Sequence, residues 1–239
     1  MNEKNPAKIL RFDSLPSTND YAKTILKNGE NTVVLAACQT GGRGTKGRSF
    51  SSEKGGVYLS ALTFYDGFPA KNAFLIMARS AVAVCKTVER YGLKPLIKWP
   101  NDIYVNDKKI CGILIENAFS GQTVRSSIVG IGLNVTNRLP SELLPIATTL
   151  EQETGLRLKA DEVAELLIKN LQEDFPFDEY RNRVGYLGKD CKLIFEKEEI
   201  SARPLRVEED GSLLVQTTEG ERRVFAAEVS LRVEKERTE

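Results

Sequence analysis

The chain of 239 residues contains no histidine. Nucleophilic sites that pair serine or cysteine with histidine are therefore excluded, and a zinc site is not expected. The four cysteines, at positions 38, 85, 111 and 191, include no C-x-x-C pair. We expect them to be reduced, mostly buried thiols, which is typical of cytoplasmic proteins. We therefore expect this protein to be cytoplasmic.

Long apolar runs and an excess of one charge are also missing. No stretch approaches the roughly 20 apolar residues that cross a bilayer, and the first residues lack the basic-then-apolar pattern of a secretory signal. Lys and Arg number 34 against 33 Asp and Glu, a formal net charge of +1. Nothing therefore indicates general attraction to nucleic acid or anionic lipid, and we expect no DNA and no membrane partner.

The order of the predicted elements indicates an α+β fold. Three helices are expected from apolar residues at helical spacing, at about residues 18–28, 70–91 and 161–174. Strands are expected at 32–37, 57–65, 96–99, 103–105, 109–116 and 124–135. The later strands form hairpins in series, which predicts a mixed or antiparallel sheet with helices packed on one face.

Beyond Gly188 the pattern changes to short strands, predicted at 191–195, 205–207, 213–216 and 223–225. The turn pairs Asp210-Gly211 and Glu219-Gly220 separate them. Their regular spacing over about 50 residues predicts a small SH3-like β-barrel. We therefore predict two domains, residues 1–187 and residues 188–239.

Two motifs carry most of the chemical information. Residues 41–48 read Gly-Gly-Arg-Gly-Thr-Lys-Gly-Arg; glycine lets the backbone approach a ligand, and the cations suit an oxyanion or a phosphate. Residues 98–102 read Lys-Trp-Pro-Asn-Asp, which places a cation, an aromatic ring, an amide and a carboxylate side by side. That combination favours a polar pocket floor over a core.

Each motif also has an ordinary structural interpretation. Residues 17–19 could be only a helix cap, the 41–48 segment a solvated loop, and Trp99-Pro100 a packed corner. Lys109 beside Lys108 could blunt a sheet edge, and residues 130–134 could form a bulge. The functional hypothesis requires all of these segments to converge on one hollow.

Five motifs in order resemble those of biotin protein ligases, and the resemblance spans nearly the whole chain. They are Ser17–Asn19, Gln39–Arg48, Lys98–Asp102, Lys108–Glu116 and Gly130–Val135. The glycine-basic loop alone is weak evidence, since many phosphate-binding loops look similar. Five motifs at compatible spacing are much more specific, and the small C-terminal barrel also fits this family.

The resemblance implies a biotin–[acetyl-CoA-carboxylase] ligase. Such an enzyme forms biotinyl-5′-AMP from biotin and ATP, then transfers biotin to a specific lysine of a biotin carboxyl carrier protein. Mg²⁺ is expected with the ATP, and its ligands in this chain are not identified. The absence of histidine fits, because the biotin carboxylate is already ionised at pH 7 and cations can offset the repulsion between two anionic substrates.

The resemblance also assigns positions. The biotin-binding residues it implies are Ser17, Thr18, Asn19, Gln39, Gly42, Arg43, Gly44, Thr45, Lys109 and Gly112. The residues implied for ATP or the adenylate are Arg43, Arg48, Phe50, Lys98, Trp99, Asn101, Asp102 and Asn134. Lys109 and Arg43 are expected to be catalytic.

Departures from the family pattern are few. Thr45 stands where members often have a second arginine, which predicts weaker retention of the intermediate. Phe50 stands where they usually have tryptophan, and Cys111 where many have glycine. Some members carry an N-terminal DNA-binding domain; here the first predicted stretch begins near Leu10, so we expect no DNA binding by that route.

Two rival functions and one question of assembly stay open. A lipoate-protein ligase-like acyl ligase would share the fold, but it would not need the polar residues 17–19 and Gln39 for a urea group. A non-catalytic biotin-binding sensor is the second rival, and the basic loop and Lys109 argue against it. The resemblance also leaves open self-association through the sheet edge, so a homodimer is an option.

Overall fold

The main sheet of the computed structural model has seven strands in the order β1-β2-β3-β7-β6-β5-β4. The structure describes residues 7–227 and 229–233. The strands are β1 Lys8–Phe12, β2 Thr32–Ala36, β3 Val57–Pro69, β4 Leu96–Lys98, β5 Asp102–Val105, β6 Lys108–Ser120 and β7 Thr123–Leu133. β1 is parallel to β2, and the other neighbours are antiparallel. The mixed sheet predicted from the sequence is confirmed.

Helices cover both faces of this sheet, unequally. They are α1 Thr18–Thr24, α2 Phe74–Glu89, α3 Leu150–Thr154, α4 Ala160–Leu171 and α5 Phe177–Arg181. Side chains alternate along a strand, so Val33 and Leu35 join the large core under α2 and α4, whereas Val34 packs with Ala22 of α1. The long helices thus share one face as predicted, and the short α1 lies on the other.

The C-terminal segment forms a five-stranded antiparallel sheet in the order β11-β10-β9-β8-β12. Its strands are β8 Cys191–Ile194, β9 Glu199–Val207, β10 Leu213–Thr217, β11 Gly220–Val224 and β12 Ser230–Val233. The four predicted strands are present. Trp99 Nε1 donates to Gly211 O at 3.1 Å and Arg181 Nε to Val207 O at 2.8 Å, so this sheet is bonded to the main body. The domain boundary at 187/188 stays a prediction.

Some boundaries differ from the sequence expectation. β3 continues through Asp66-Gly67, where a turn was expected, because β7 still pairs with it at Phe68 after an irregularity in register. The long helix begins at Phe74 after a 3₁₀ turn at Ala70–Asn72, not at residue 70. The sequence did not predict β1. This short edge strand consists of mostly exposed residues, so it shows no alternation of apolar and polar positions.

The cysteines are as expected. Cys85, Cys111 and Cys191 are buried and Cys38 is half-buried, and no disulfide joins any of the four in the described part of the chain. Burial raises the pKa of Cys85 to about 12, so this thiol stays protonated. Among the described residues no helix is both long and apolar enough to cross a membrane.

Candidate active site

Three glycines form a floor without side chains in the middle of the main sheet. Gly112 of β6 pairs with Gly132 of β7. Gly130 lies two residues away from Gly132 on β7, on the same face of the sheet. A Cβ at Gly132 would clash with the Phe50 ring, and one at Gly130 with the Asn19 amide. The three positions therefore let groups from other segments lie directly against the sheet backbone.

A set of neutral polar side chains lies at one end of this floor, at the start of α1. Ser17 caps the helix by accepting from Asp20 N at 3.3 Å, and it also lines the cavity. Ser17 is therefore a helix cap that also borders the cavity, and the ligand-binding role of residues 17–19 stays a prediction. Gln39 accepts from Thr18 N at 2.8 Å and donates to Ser52 Oγ at 2.9 Å, which fixes its amide beside the helix start.

Two residues that the sequence analysis missed orient this polar end. Ser60, fully buried on β3, lies 2.7 Å from Thr18 Oγ1 and 2.5 Å from Asn19 Oδ1. Glu116 of β6 accepts from Asn19 Nδ2 at 2.8 Å. Asn19 is therefore held by its carbonyl on one side and its amide on the other. Strand alternation could have pointed to Glu116, since it shares a face with Gly112.

Charged groups lie at the other end. Lys109 Nζ is 2.7 Å from Asp102 Oδ1, with about a quarter of each side chain exposed, and 5.9 Å from the centre of the Phe50 ring. Asn101 Nδ2 donates to Ile113 O at 2.9 Å, which ties the turn before β5 to the floor. One carboxylate and one cation thus face each other where an anionic ligand could be held.

Lys98 stands just behind this pair, next to other cations. Burial lowers the pKa of Lys98; Asp102 opposes that shift, and repulsion from Lys109, Arg48 and Arg232 adds to it. Arg232, on the last described strand, was not among the predicted site residues. This cationic cluster, which has contributions from both sheets, would attract phosphate groups.

We call residues 41–50 the flap. Its two ends are joined by hydrogen bonds from Gly44 N to Arg48 O at 2.7 Å and from Phe50 N to Gly42 O at 2.9 Å. Lys46, at φ 55°, and Gly47, at φ 72°, are the two left-handed residues at its tip. Arg43 points toward α1, where its Nη2 lies 2.5 Å from Asp20 Oδ1. Phe50 lies over the glycine floor.

These segments converge on one cavity. The cavity volume between them is about 50 Å³, room for a few water molecules, and a larger ligand lying on the glycine floor would have to displace the Phe50 ring. Eleven of the residues assigned by resemblance line the cavity: Ser17, Asn19, Gln39, Arg43, Gly44, Thr45, Phe50, Asn101, Asp102, Lys109 and Gly112. The scattering that would have contradicted the functional hypothesis is not observed.

The remaining assigned residues lie outside the lining. Thr18 and Gly42 are buried supports directly behind it, and Arg48 and Lys98 belong to the cationic cluster at its edge. Trp99 is buried and bonded to Gly211, so the packed-corner interpretation fits it. Asn134 is buried and donates to Thr148 O at 3.1 Å, which holds a loop and does not face the cavity.

A metal would have few protein ligands here. Among the described residues no group of three or more His, Cys, Asp and Glu side chains is placed to hold an ion. The Asp102 carboxylate at the cavity is the donor with the right chemistry, and Mg²⁺ in nucleotide sites takes most of its ligands from phosphates and water. A magnesium bound together with ATP therefore fits this donor set.

Known proteins match this chain in both sequence and structure. A model of the Biotin/lipoate A/B protein ligase family matches residues 11–134. The bifunctional ligase/repressor BirA of Bacillus subtilis (strain 168) is 31% identical over 245 residues, covering 93% of this chain and 74% of that protein. The biotin–[acetyl-CoA-carboxylase] ligase of Paracoccus denitrificans is 33% identical over 144 residues, covering 56% of this chain and 58% of that one.

A solved structure supports the same relationship over a greater length. The biotin protein ligase from Aquifex aeolicus in complex with biotin and ATP matches with a TM-score of 0.79 and 29% sequence identity. The match covers 95% of this chain and 99% of that one. It therefore includes the C-terminal sheet as well as the seven-stranded sheet.

Proposed function

This chain belongs to the biotin/lipoate A/B protein ligase family, and on that premise we propose that it biotinylates a carrier protein. It is an ATP-dependent biotin ligase, and the acceptor we propose is a lysine of a biotin carboxyl carrier protein. The observation that carries the proposal is the single cavity, with neutral polar groups at one end and charged groups at the other. A ligand with a urea head and a carboxylate tail matches both ends.

The first step joins biotin to the nucleotide. A carboxylate oxygen of biotin attacks the α-phosphorus of ATP, the bond from that phosphorus to the bridging oxygen breaks, and pyrophosphate leaves. Lys109 is placed to donate to the oxygens that meet there. Arg48 and Lys98 offset the charge of the departing phosphates.

The second step transfers biotin. The neutral amine of the carrier lysine attacks the acyl carbon, the bond from that carbon to the phosphate oxygen breaks, AMP leaves, and the amine loses a proton as the amide forms. The flap covers the mixed anhydride between the two steps and limits its hydrolysis. Ser17, Asn19 and Gln39 hold the urea head throughout.

Magnesium is part of the proposal. Asp102 would hold it at the charged end, and the ion would neutralise phosphate charge that the protein cations leave uncompensated. Asp102 already faces Lys109, so the ion and the ammonium would share one carboxylate.

The test is biotin-dependent exchange of pyrophosphate into ATP, followed by labelling of a purified carboxyl carrier domain with ATP and Mg²⁺. Both reactions are expected. A carrier whose acceptor lysine is replaced by arginine serves as the control and should stay unlabelled. Lipoylation without biotinylation would favour the lipoate ligase, and binding of biotin without any exchange would favour the sensor. The homodimer and the absence of DNA binding stay predictions.

A further inference from the structure

Four charged side chains form a closed cluster beside the polar end of the cavity. Arg43 Nη2 lies 2.5 Å from Asp20 and 3.5 Å from Glu116. Lys23 Nζ lies 2.8 Å from Glu116 and 3.2 Å from Asp20. Each carboxylate therefore contacts both cations, and the two pairs of charges cancel. We call these four residues the ion cluster.

The ion cluster bears on what Arg43 does. The resemblance assigned Arg43 to biotin and to the adenylate as a catalytic cation, which would require its guanidinium to face the ligand phosphate. In the structure the guanidinium is turned toward α1 and its charge is met by two carboxylates. The charges of Lys109, Arg48 and Arg232 act on Lys98, and we assign the positive charge toward a nucleotide to this group instead.

From this arrangement we infer that Arg43 is a positioning residue, which fastens the flap to α1 and β6, and that Asp20 and Glu116 are its fastening points. Asp20 lies in the first turn of α1, Glu116 on β6, and Arg43 between two glycines of the flap. Three segments far apart in sequence are thereby joined at one point. The inference rests on the proposed function only where catalysis is measured.

Glu116 connects the flap to the recognition of the ligand. Its Oε2 accepts from Asn19 at 2.8 Å and is also the atom that contacts Arg43. Partial burial alone would raise the pKa of Glu116, but hydrogen bonds from Lys23 and Asn19 and the charges of Lys23 and Arg43 outweigh it and lower that pKa. The carboxylate therefore stays ionised while it holds both groups.

The consequence concerns the reactive intermediate. A ligand lying on the glycine floor would displace Phe50 of the flap, so we expect the flap to move when the substrates enter and to close again over the adenylate. An ion pair that favours the closed position slows escape of the adenylate. Partly exposed ion pairs are individually weak, so the contacts of Arg43 with Asp20 and Glu116 can break in each catalytic cycle.

A double-mutant cycle separates this role from phosphate binding. The variants are Asp20→Asn, Arg43→Gln and the double variant, and the measurements are hydrogen exchange at the Gly44 and Phe50 amides and the release rate of biotinyl-adenylate. Each single variant should raise both rates about fivefold, as expected for a contact of this exposure. The double variant should match Arg43→Gln, because that change already removes the contact of Arg43 with Asp20.

Phosphate binding by Arg43 predicts a different result. Asp20→Asn would then leave adenylate release unchanged or slower, while Arg43→Gln alone raised it. That outcome overturns the inference. Asp20→Glu keeps the carboxylate and should stay within about twofold of the unmodified protein, well below the single-variant effect.

A matched control removes an ion pair elsewhere. Arg79 contacts Asp174 at 3.2 Å on the surface near α2, and Asp174→Asn should leave flap exchange and adenylate release unchanged. Hydrogen exchange needs no substrate. If the protein formed no adenylate at all, the proposed function would fail while the exchange data still decided the role of Arg43.

Discussion

Replacing Lys109 with alanine tests the chemistry proposed for the charged end of the cavity. Its ammonium lies 2.7 Å from Asp102 and beside Phe50, where the biotin carboxylate would meet the α-phosphate. Removing one donor that stabilises developing charge costs about 2–4 kcal/mol in the transition state. Since about 1.36 kcal/mol is a factor of ten in rate, adenylate formation should slow by about 30- to 900-fold.

The assay is single-turnover formation of biotinyl-adenylate at saturating biotin and ATP. The loss should fall on the rate constant more than on either KM, because the interaction strengthens as charge develops. Lys108→Ala removes the same charge from the adjacent residue, which is not part of the cavity lining, and should stay within about threefold of the unmodified rate, an effect below 1 kcal/mol. A Lys109→Ala rate equal to that of the Lys108 control would mean that another group stabilises the transition state.

Three further changes have expected outcomes. Gly130→Ala places a methyl group against the Asn19 amide, so the KM for biotin should rise at least about tenfold; an unchanged KM would place the urea group elsewhere. Trp99→Phe removes the bond to Gly211 and should cost about 1–3 kcal/mol of stability, seen as a lower Tm, while the KM for ATP holds; a raised KM with unchanged Tm would make Trp99 a nucleotide ligand. The lowered pKa of Glu116 means that it stabilises the fold above about pH 4.5 and that this stability is lost as the pH falls through its folded-state pKa. The free energy of unfolding, measured with urea from about pH 5 to 3, should therefore fall less in Glu116→Gln than in the unmodified protein. Identical falls in the two proteins would contradict the pKa argument.

Much of the main sheet could be predicted because its signals are local. Periodic apolar residues located the long helices, and Asn106-Asp107 and Gly121 located the turns of two hairpins. α3 and α5 were missed because each is only five residues long, too short for a periodic pattern. β1 was missed because its partner β2 begins 24 positions later in register, and a single sequence carries no information on such pairing.

The candidate site was predictable where a motif supplied both the residue type and its neighbours. Lys109, Asp102, Gln39 and Gly44 of the flap all lie at one cavity. The orienting residue Ser60 could not be found in this way, since one serine in an apolar strand has no distinguishing pattern and its contacts lie 41 and 42 positions away. Adjacency to Lys98 in a motif does not determine which way a side chain points: Trp99 lies outside the cavity lining and bonds to Gly211, and its nucleotide role stays a prediction.

The Trp99 indole also makes the smaller sheet a structural partner of the turn that carries Asp102. Trp99 lies two residues before Asn101, its ring bonds to a carbonyl on the far side of the predicted domain boundary, and its backbone amide donates to the Tyr186 hydroxyl at 2.6 Å. Truncation at residue 187 would remove the acceptor of the indole but keep Tyr186, so the turn would retain its backbone contact and lose the contact made by the ring. A shorter engineered form of this protein would therefore need new packing around Trp99. Deletion of residues 188–239 alone would not supply it.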